Sequence, residues 1–292
     1  MTAQTDQERA LTGPHQTTPS DAQPALAAEE SLPVVSTDPQ LHGCTLPRHL
    51  GIIVDGNRRW AREAGVPTIQ GHRVGAAKVL EALGWLDELE LPLVTIWLLS
   101  RDNLRRSAEE LTPLIQIITD LVHGVVEDGY AVRITGDPDV LPAEACREIT
   151  ETVASADSSQ RAPRRHLAVN LAIGYGGREE ITAAARAAVR EALSASDQHD
   201  EQPAEQRVQQ RVDQAIDALT VDNISRHLYT SGQPDPDLII RTSGEQRLSG
   251  FLLWQSVHSE FWFCETNWPA FQREDLIHAL QDYCGRERRF GA

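Results

Sequence analysis

The chain has 292 residues, 40% hydrophobic and 24% charged, which suits a folded globular protein and excludes a collagen-like or wholly disordered one. Acids outnumber bases 43 to 27, a net charge of −16 that excludes a long basic footprint for duplex nucleic acid, so no nucleic-acid partner is expected. No apolar run reaches the roughly 18 residues of a membrane span, no secretory signal opens the chain, and no basic cluster flanks an amphipathic helix, so the expected location is cytoplasmic.

Residues 1 to about 46 are rich in Pro, Thr, Gln, Ala and acid, with one base, Arg9. Such a stretch buries too little apolar surface to offset its ordering entropy and reads as a disordered tail. Residues 47–292 read as one domain. Its first strand is predicted over Leu50–Val54, followed by a helix over about 73–90 and a strand over Leu93–Leu99. The clearest helix runs from Ser107 to about Val126. Leu111, Leu114, Ile115, Ile118, Leu121, Val122 and Val125 recur at helical spacing, and Ser107 with Glu110 has the form of a capping box. Strands follow at Ala131–Thr135 and Leu167–Ala172, then a helix over 177–193, a loop near Ser194–Gln206, and helices over 205–219 and 221–229. Strands at Leu238–Arg241 and Glu260–Cys264 and a helix over 271–284 complete the chain. The strands are short and apolar on both faces. Their alternation with helices predicts an α/β fold, a single domain with a mainly parallel six-stranded sheet flanked by helices. Cys44, Cys146, Cys264 and Cys284 form no C-x-x-C pair and read as reduced buried thiols.

Sites in open parallel sheets lie beyond the carboxyl ends of the strands. There the sequence has Asp55-Gly56-Asn57-Arg58-Arg59-Trp60, then Ser100-Arg101-Asp102-Asn103 with Arg105 and Arg106, then Asn170 and Gly174–Arg178, then Arg241–Glu245 with Arg247, Leu248 and Ser249. An acidic protein thus concentrates arginines and glycines at its predicted mouth, as binding of a phosphate or diphosphate requires. Simpler roles stand beside these. Asp55 could cap a helix, Arg241 could make a surface ion pair, His72 could be a polar residue at a helix start, and Asn103 could cap a turn. The Gly174–Gly177 cluster is not G-x-G-x-x-G and reads as a strand–helix packing turn, and Trp254, Phe261, Trp262 and Phe263 read as core. No G-x-x-x-x-G-K-[ST], G-x-S-x-G or H-E-x-x-H occurs, against ATPase, serine hydrolase and zincin chemistry.

Taken together, His49–Trp60, Gly71–His72, Ser100–Arg106, Asn170–Arg178, Asp237–Phe263 and Arg286–Gly291 resemble the cis-prenyltransferases, the family of undecaprenyl diphosphate synthase. The resemblance implies a homodimer of α/β subunits, each with an apolar tunnel between sheet and helices for the growing prenyl chain. It implies that Asp55 is catalytic and holds Mg2+ on the allylic diphosphate, with Glu260 as a second metal carboxylate. Gly56, Asn57, Arg58, Arg59, Trp60, Thr68 and His72 fall at the allylic diphosphate, and Ser100, Arg101, Asp102 and Leu104 in the stretch beside it. Asn103 matches the residue assigned to proton handling. Arg106, Arg241, Arg247, Leu248 and Ser249 fall at the isopentenyl diphosphate site, which Arg289 and Gly291 close from the partner. Arg58 stands where a Gly is common, Thr68 where an Arg is common, Leu104 for a Trp and Gln246 for a His.

The implied reaction condenses isopentenyl diphosphate with an allylic diphosphate. Trp97–Ser100, Asp235-Pro236-Asp237 and Gln246 look like the short-chain branch that makes (Z,E)-farnesyl diphosphate from geranyl diphosphate. Leu98 stands where long-chain relatives carry a small residue; on the cavity wall it would shorten the product, and facing the core it would set nothing. The alternatives are a long-chain polyprenyl synthase using farnesyl diphosphate, and a non-catalytic scaffold subunit, which the presence of Asp55, Arg289 and Gly291 disfavours. An aspartate-nucleophile phosphatase would want an acid where Asn57 stands. An apolar product implies peripheral contact with a membrane.

Overall fold

The computed structural model describes residues 34–158, 163–195 and 204–286. Its elements are β1 (Leu50–Ile53), α1 (Asn57–Glu63), α2 (Thr68–Glu88), β2 (Leu93–Ser100), α3 (Ala108–Glu127), β3 (Ala131–Gly136), α4 (Ala143–Ser158), β4 (Ala168–Tyr175), α5 (Gly177–Ala195), α6 (Ala204–Asp217), α7 (Val221–Arg226), β5 (Leu238–Arg241), β6 (Glu260–Phe263) and α8 (Arg273–Gly285). The six strands form one sheet in the order β3-β4-β2-β1-β5-β6, and every pairing is parallel. The predicted fold class stands, with the sheet parallel throughout. Because parallel strands need crossovers, helices cover both faces. Leu50, Ile52, Val94, Ile96, Leu171 and Ile240 are each at most 1% exposed.

The chain leaves β1 towards β2 on one side and leaves β5 towards β6 on the other. The crevice of the sheet therefore opens between the carboxyl ends of β1 and β5. Helix α3 follows its predicted stripe: Leu114, Ile115, Ile118, Leu121, Val122 and Val125 are all buried against α2 and the sheet.

Three expectations are corrected. Residues 34–46, assigned to the tail, belong to the fold: Val35 bridges Thr45, Leu41 and Leu46 are 1% exposed within the core, and Asp38 binds Arg273 of α8 at 2.7 Å. Residues 1–33 lie outside the described residues. The predicted capping box at Ser107 does not form: Ser107 is the N-cap of α3 but makes no side-chain bond there, because Glu110 is engaged elsewhere. Asn170, expected at the mouth, lies within β4 and is fully buried.

Asn170 belongs to a closed polar network on the sheet. His49 Nδ1 donates to the Pro234 carbonyl at 2.7 Å, and His49 Nε2 accepts from Thr95 at 2.7 Å. Asn170 Nδ2 donates to Thr95 Oγ1 at 2.9 Å and to Gln233 Oε1 at 2.7 Å. Burial pushes the His49 imidazole down to about 4. The unfolded chain therefore takes up a proton near the ordinary histidine value of about 6.5 that the folded chain refuses, so stability is complete above that value and falls as pH drops towards 4. Between pH 7 and pH 5 the loss from His49 is expected to be about 2 kcal/mol. Denaturant midpoints at the two pH values check this; His49→Gln should flatten the difference.

Candidate active site

Ile53 and Arg241 stand side by side in the β1–β5 ladder, and the chain continues from both into the crevice. The Asp55 N–H donates to Thr242 Oγ1 at 3.0 Å, and that hydroxyl donates to the Asp55 carbonyl at 2.7 Å. The turn is thereby locked to β5. Gly56 follows with φ +105, and a Cβ there would lie 2.9 Å from the Asn267 backbone, so only glycine lets the chain turn into α1 here. Asp55 accepts from Arg241 Nη2 at 2.7 Å and from the Gly56 N–H at 2.8 Å.

Arg241 is no surface residue, being 4% exposed. Its Nη1 donates to Ser249 Oγ at 2.9 Å and to the Arg247 carbonyl, so one guanidinium organises the loop after β5. Ser243 and Ser249 hold positive φ angles of 77 and 53, strain of the kind kept at binding loops. Arg59 reaches the same loop, donating to the Ser243 carbonyl and pairing with Glu245 at 3.0 Å. The guanidinium groups of Arg59 and then Arg247 hold the Glu245 carboxyl below the usual range.

A second cationic group lies within electrostatic reach of Asp55, through Arg106. One oxygen of Glu110 lies 3.1 Å from Arg106, 3.6 Å from His72 and 3.7 Å from Arg58, which is why it does not cap α3. Burial, and then the Arg106 charge, lower the His72 pKa, so the ring stays neutral near neutral pH. Burial likewise lowers that of Arg106. Beside this group, Ser100 and Asn103 make a reciprocal cap over the short turn Arg101–Arg105. The Asn103 N–H donates to Ser100 Oγ at 3.1 Å, and Asn103 Oδ1 accepts the Ser100 N–H at 3.3 Å. The turn-capping role is therefore real, and the Asn103 side chain keeps its amide hydrogens and one oxygen lone pair for anything in the cavity.

Both cationic groups open on one cavity of about 920 Å³ lined by Asp55, Gly56, Asn57, Arg58, Arg59, Thr68, His72, Ser100, Asp102, Asn103, Arg106, Arg241 and Ser249. Its remaining wall is largely apolar and comes from the ends of β1 and β2 and from α2 and α3, including Val79, Leu98, Ile118 and Leu121. His72 Nε2 and Arg241 Nε are buried without a hydrogen-bond partner, an unmet demand that the oxygens of an anionic ligand would satisfy, whereas the equally unpartnered Asn57 Oδ1 calls for a donor. The sequence pattern gave no signal for Glu110 as the centre of a cation cluster, since its spacing from Ser107 had a local explanation. Thr242 was visible only as the neighbour of Arg241.

Six predicted residues lie outside this lining. Trp60 sits half-buried on α1. Arg101 pairs with Asp137. Leu104 packs on the main core and Leu248 on a smaller cluster across the sheet. Arg247 is turned to solvent on Glu245. Glu260 opens β6 level with Leu50, at the amino edge of the sheet, where it pairs with Arg286. Five residues of strand separate that level from Asp55, roughly 16 Å along the sheet, so within one chain Glu260 and Asp55 cannot share an ion. Arg289 and Gly291 lie outside the described residues.

Among the described residues no group of three or more His, Cys, Asp or Glu side chains could hold a metal. Mg2+ needs no such cage, because it keeps waters and phosphate oxygens and takes one or two carboxylates. Asp55, half-exposed at the cavity mouth, bound to Arg241 and acting electrostatically on Arg106, fits that requirement.

Comparison with known proteins agrees with this geometry. The family described as "Putative undecaprenyl diphosphate synthase" matches residues 53–291. A (2Z,6E)-farnesyl diphosphate synthase of Thermobifida fusca is 52% identical over 246 residues, covering 84% of this chain and 90% of the relative. A short-chain Z-isoprenyl diphosphate synthase of Mycobacterium leprae is 48% identical, covering 84% and 88%. The crystal structure of lavandulyl diphosphate synthase from Lavandula x intermedia in complex with dimethylallyl diphosphate superposes with a TM-score of 0.69 at 32% identity, covering 85% of this chain and 99% of that one.

Proposed function

The chain belongs to the undecaprenyl diphosphate synthase family of prenyltransferases, and from that premise we propose that it condenses isopentenyl diphosphate with geranyl diphosphate into (Z,E)-farnesyl diphosphate. One observation carries the reading: a single cavity joins two cationic groups, with Asp55 bound to Arg241 and acting electrostatically on Arg106, to an apolar wall. Two diphosphates and one hydrocarbon chain call for those three parts. The names of the relatives support the short-chain product.

Arg58, His72 and Arg106, which share Glu110, would hold the allylic diphosphate. This moves Arg106 from the isopentenyl side, where the sequence resemblance put it. Arg241 and Ser249 would hold isopentenyl diphosphate, with Arg247 turning in from Glu245. Asp55 would hold Mg2+, which neutralises charge on the leaving diphosphate. The allylic carbon–oxygen bond breaks as a carbon–carbon bond forms to isopentenyl diphosphate, and the apolar wall keeps water from the cationic carbon. A proton must then leave the condensed product. Asn103 is a neutral amide and too weak a base to take it, so it would orient the diphosphate through its amide hydrogens; a departing diphosphate oxygen takes the proton.

A homodimer completes the assignment. Arg286, the last described residue, pairs with Glu260 at the amino edge of the sheet. Glu260, like Arg289 and Gly291, would act in a second copy's site. We place the reaction in the cytoplasm, with the apolar product handed to a membrane surface; among the described residues no helix is long and apolar enough to cross one.

Leu98 lines the cavity, and its isobutyl group would stop the chain in a wall that yields little. Leu98→Ala is expected to shift the products of isopentenyl and geranyl diphosphates towards longer chains, read by mass spectrometry. An unchanged distribution would remove Leu98 from length control. The accompanying kinetic test compares geranyl with farnesyl diphosphate, and a higher kcat/KM for farnesyl diphosphate would refute the short-chain assignment.

A further inference from the structure

The ladder between β2 and β4 is not regular. Trp97 pairs with Ala172, Leu99 with Ile173 and Ser100 with Tyr175. Leu98 is thus an extra residue on β2, and Gly174 an extra residue on β4 one step later. The first insertion has a clear consequence for the side chains. Along a regular strand Trp97 and Leu99 would share a face. Instead Trp97 stacks on Phe251 at 5.2 Å within the smaller cluster, while Leu99 is fully buried in the main core on the α2–α3 side. Leu98 packs on that same side. Two consecutive leucines on one face opposite a single residue, Ile173, is the signature of a bulge. Leu99 takes the core slot beside Ile173, and Leu98, on the face of Val94 and Ile96, is left on the cavity wall.

An uncompensated bulge would leave every later residue of β2 one step out of register with β4. The second insertion cancels it, so that Ser100 meets Tyr175 and can cap the Asn103 turn. Gly174 makes that cancellation with φ +62, and a Cβ there would lie 2.4 Å from the Asp137 carbonyl and 2.7 Å from the Val140 side chain. Only glycine satisfies both conditions.

We propose that Gly174 is a positioning residue for product length: its compensating bulge holds Leu98 on the cavity wall. Without it, β2 relaxes towards regular alternation, Leu98 drops into the slot that Leu99 occupies, and the wall recedes. This rests on the short-chain reading above, so its test has one arm that does not.

The first arm compares products of wild type and Gly174→Ala from isopentenyl and geranyl diphosphates. The variant should raise the share of products longer than (Z,E)-farnesyl diphosphate about tenfold, the scale on which a pocket discriminates one small apolar group. An unchanged distribution overturns the proposal, even if the rate falls. The second arm compares melting of three full-length variants: deletion of Leu98, deletion of Gly174, and deletion of both. Because the insertions cancel, the double deletion should melt above either single one. A double deletion that melts no higher, or does not fold, overturns the proposal whatever the enzyme makes. If wild type gives no (Z,E)-farnesyl diphosphate, the functional reading fails and the melting comparison alone judges the bulges; it also decides if Gly174→Ala does not fold.

Discussion

Asp55→Ala is expected to lower turnover at least about a hundredfold at saturating concentrations of both substrates, the scale of losing one preorganised charge-stabilising group. Asp55 is the one carboxylate in the lining that binds Arg241 and acts electrostatically on Arg106, and its backbone is fixed by the Thr242 hydroxyl on both sides of the turn. Stability should fall as well. Arg241 Nη2, deep in the protein, loses the carboxylate it meets at 2.7 Å. Asp55 is 37% exposed and water screens the pair, so the cost is about 1–2 kcal/mol. The fold should survive, and Asp55→Asn should recover most of the stability but not the turnover. Normal turnover of Asp55→Ala in Mg2+ would take Asp55 out of the reaction.

Arg241→Ala should act on the other substrate. Its guanidinium touches Asp55, the Arg247 carbonyl and the Ser249 hydroxyl at once, so on the proposed assignment the variant loses a diphosphate contact and the order of the loop after β5. A hydrogen bond to a charged group contributes about 1.5–3 kcal/mol, so KM for isopentenyl diphosphate should rise by about 10- to 100-fold. KM for geranyl diphosphate should rise much less, because Arg58, His72 and Arg106 are held by Glu110 and only Asp55 loses a partner. Initial-rate series with each substrate varied in turn read the difference directly. Equal increases in both constants would contradict the division into two sites.

How much of this was legible in the sequence depended on whether the signal was local. β5 was predicted to the residue and β1 to within one, because a buried parallel strand is a short apolar run with polar ends. Helix α1 was not foreseen. It begins after a left-handed Gly56 with no side-chain cap and buries only Ala61, so it has neither a start signal nor a stripe. Helix α4 was missed for a related reason: Ile149 and Val153 go into the core, too thin a period among polar neighbours. Helix α2 begins at Thr68, earlier than predicted, with Pro67 before it, which puts both Thr68 and His72 on its first turns.

In the site, Asp55, Arg241 and Ser249 were readable because Arg241 ends β5 and the other two follow the carboxyl ends of β1 and β5. Glu110 was misread since a capping box is the local use of its carboxylate, and two arginines with the His72 imidazole, from α1, the turn before α3 and α2, out-compete one backbone N–H. Glu260 shows the opposite failure. The predicted strand already began at Glu260, so the strand-end rule itself places that carboxylate at the far edge, and only a second copy could bring it to Asp55. The bulge that seats Leu99 beside Ile173 and leaves Leu98 on the cavity wall was beyond reach, because period-2 reasoning does not see a bulge.

The most direct measurement is product identity. The full chain, supplied with isopentenyl diphosphate, geranyl diphosphate and Mg2+, should yield (Z,E)-farnesyl diphosphate as the main product, identified by mass spectrometry and by chromatography of the dephosphorylated alcohol against Z and E standards. No condensation product, an all-E product, or long polyprenyl diphosphates built from farnesyl diphosphate would contradict the account.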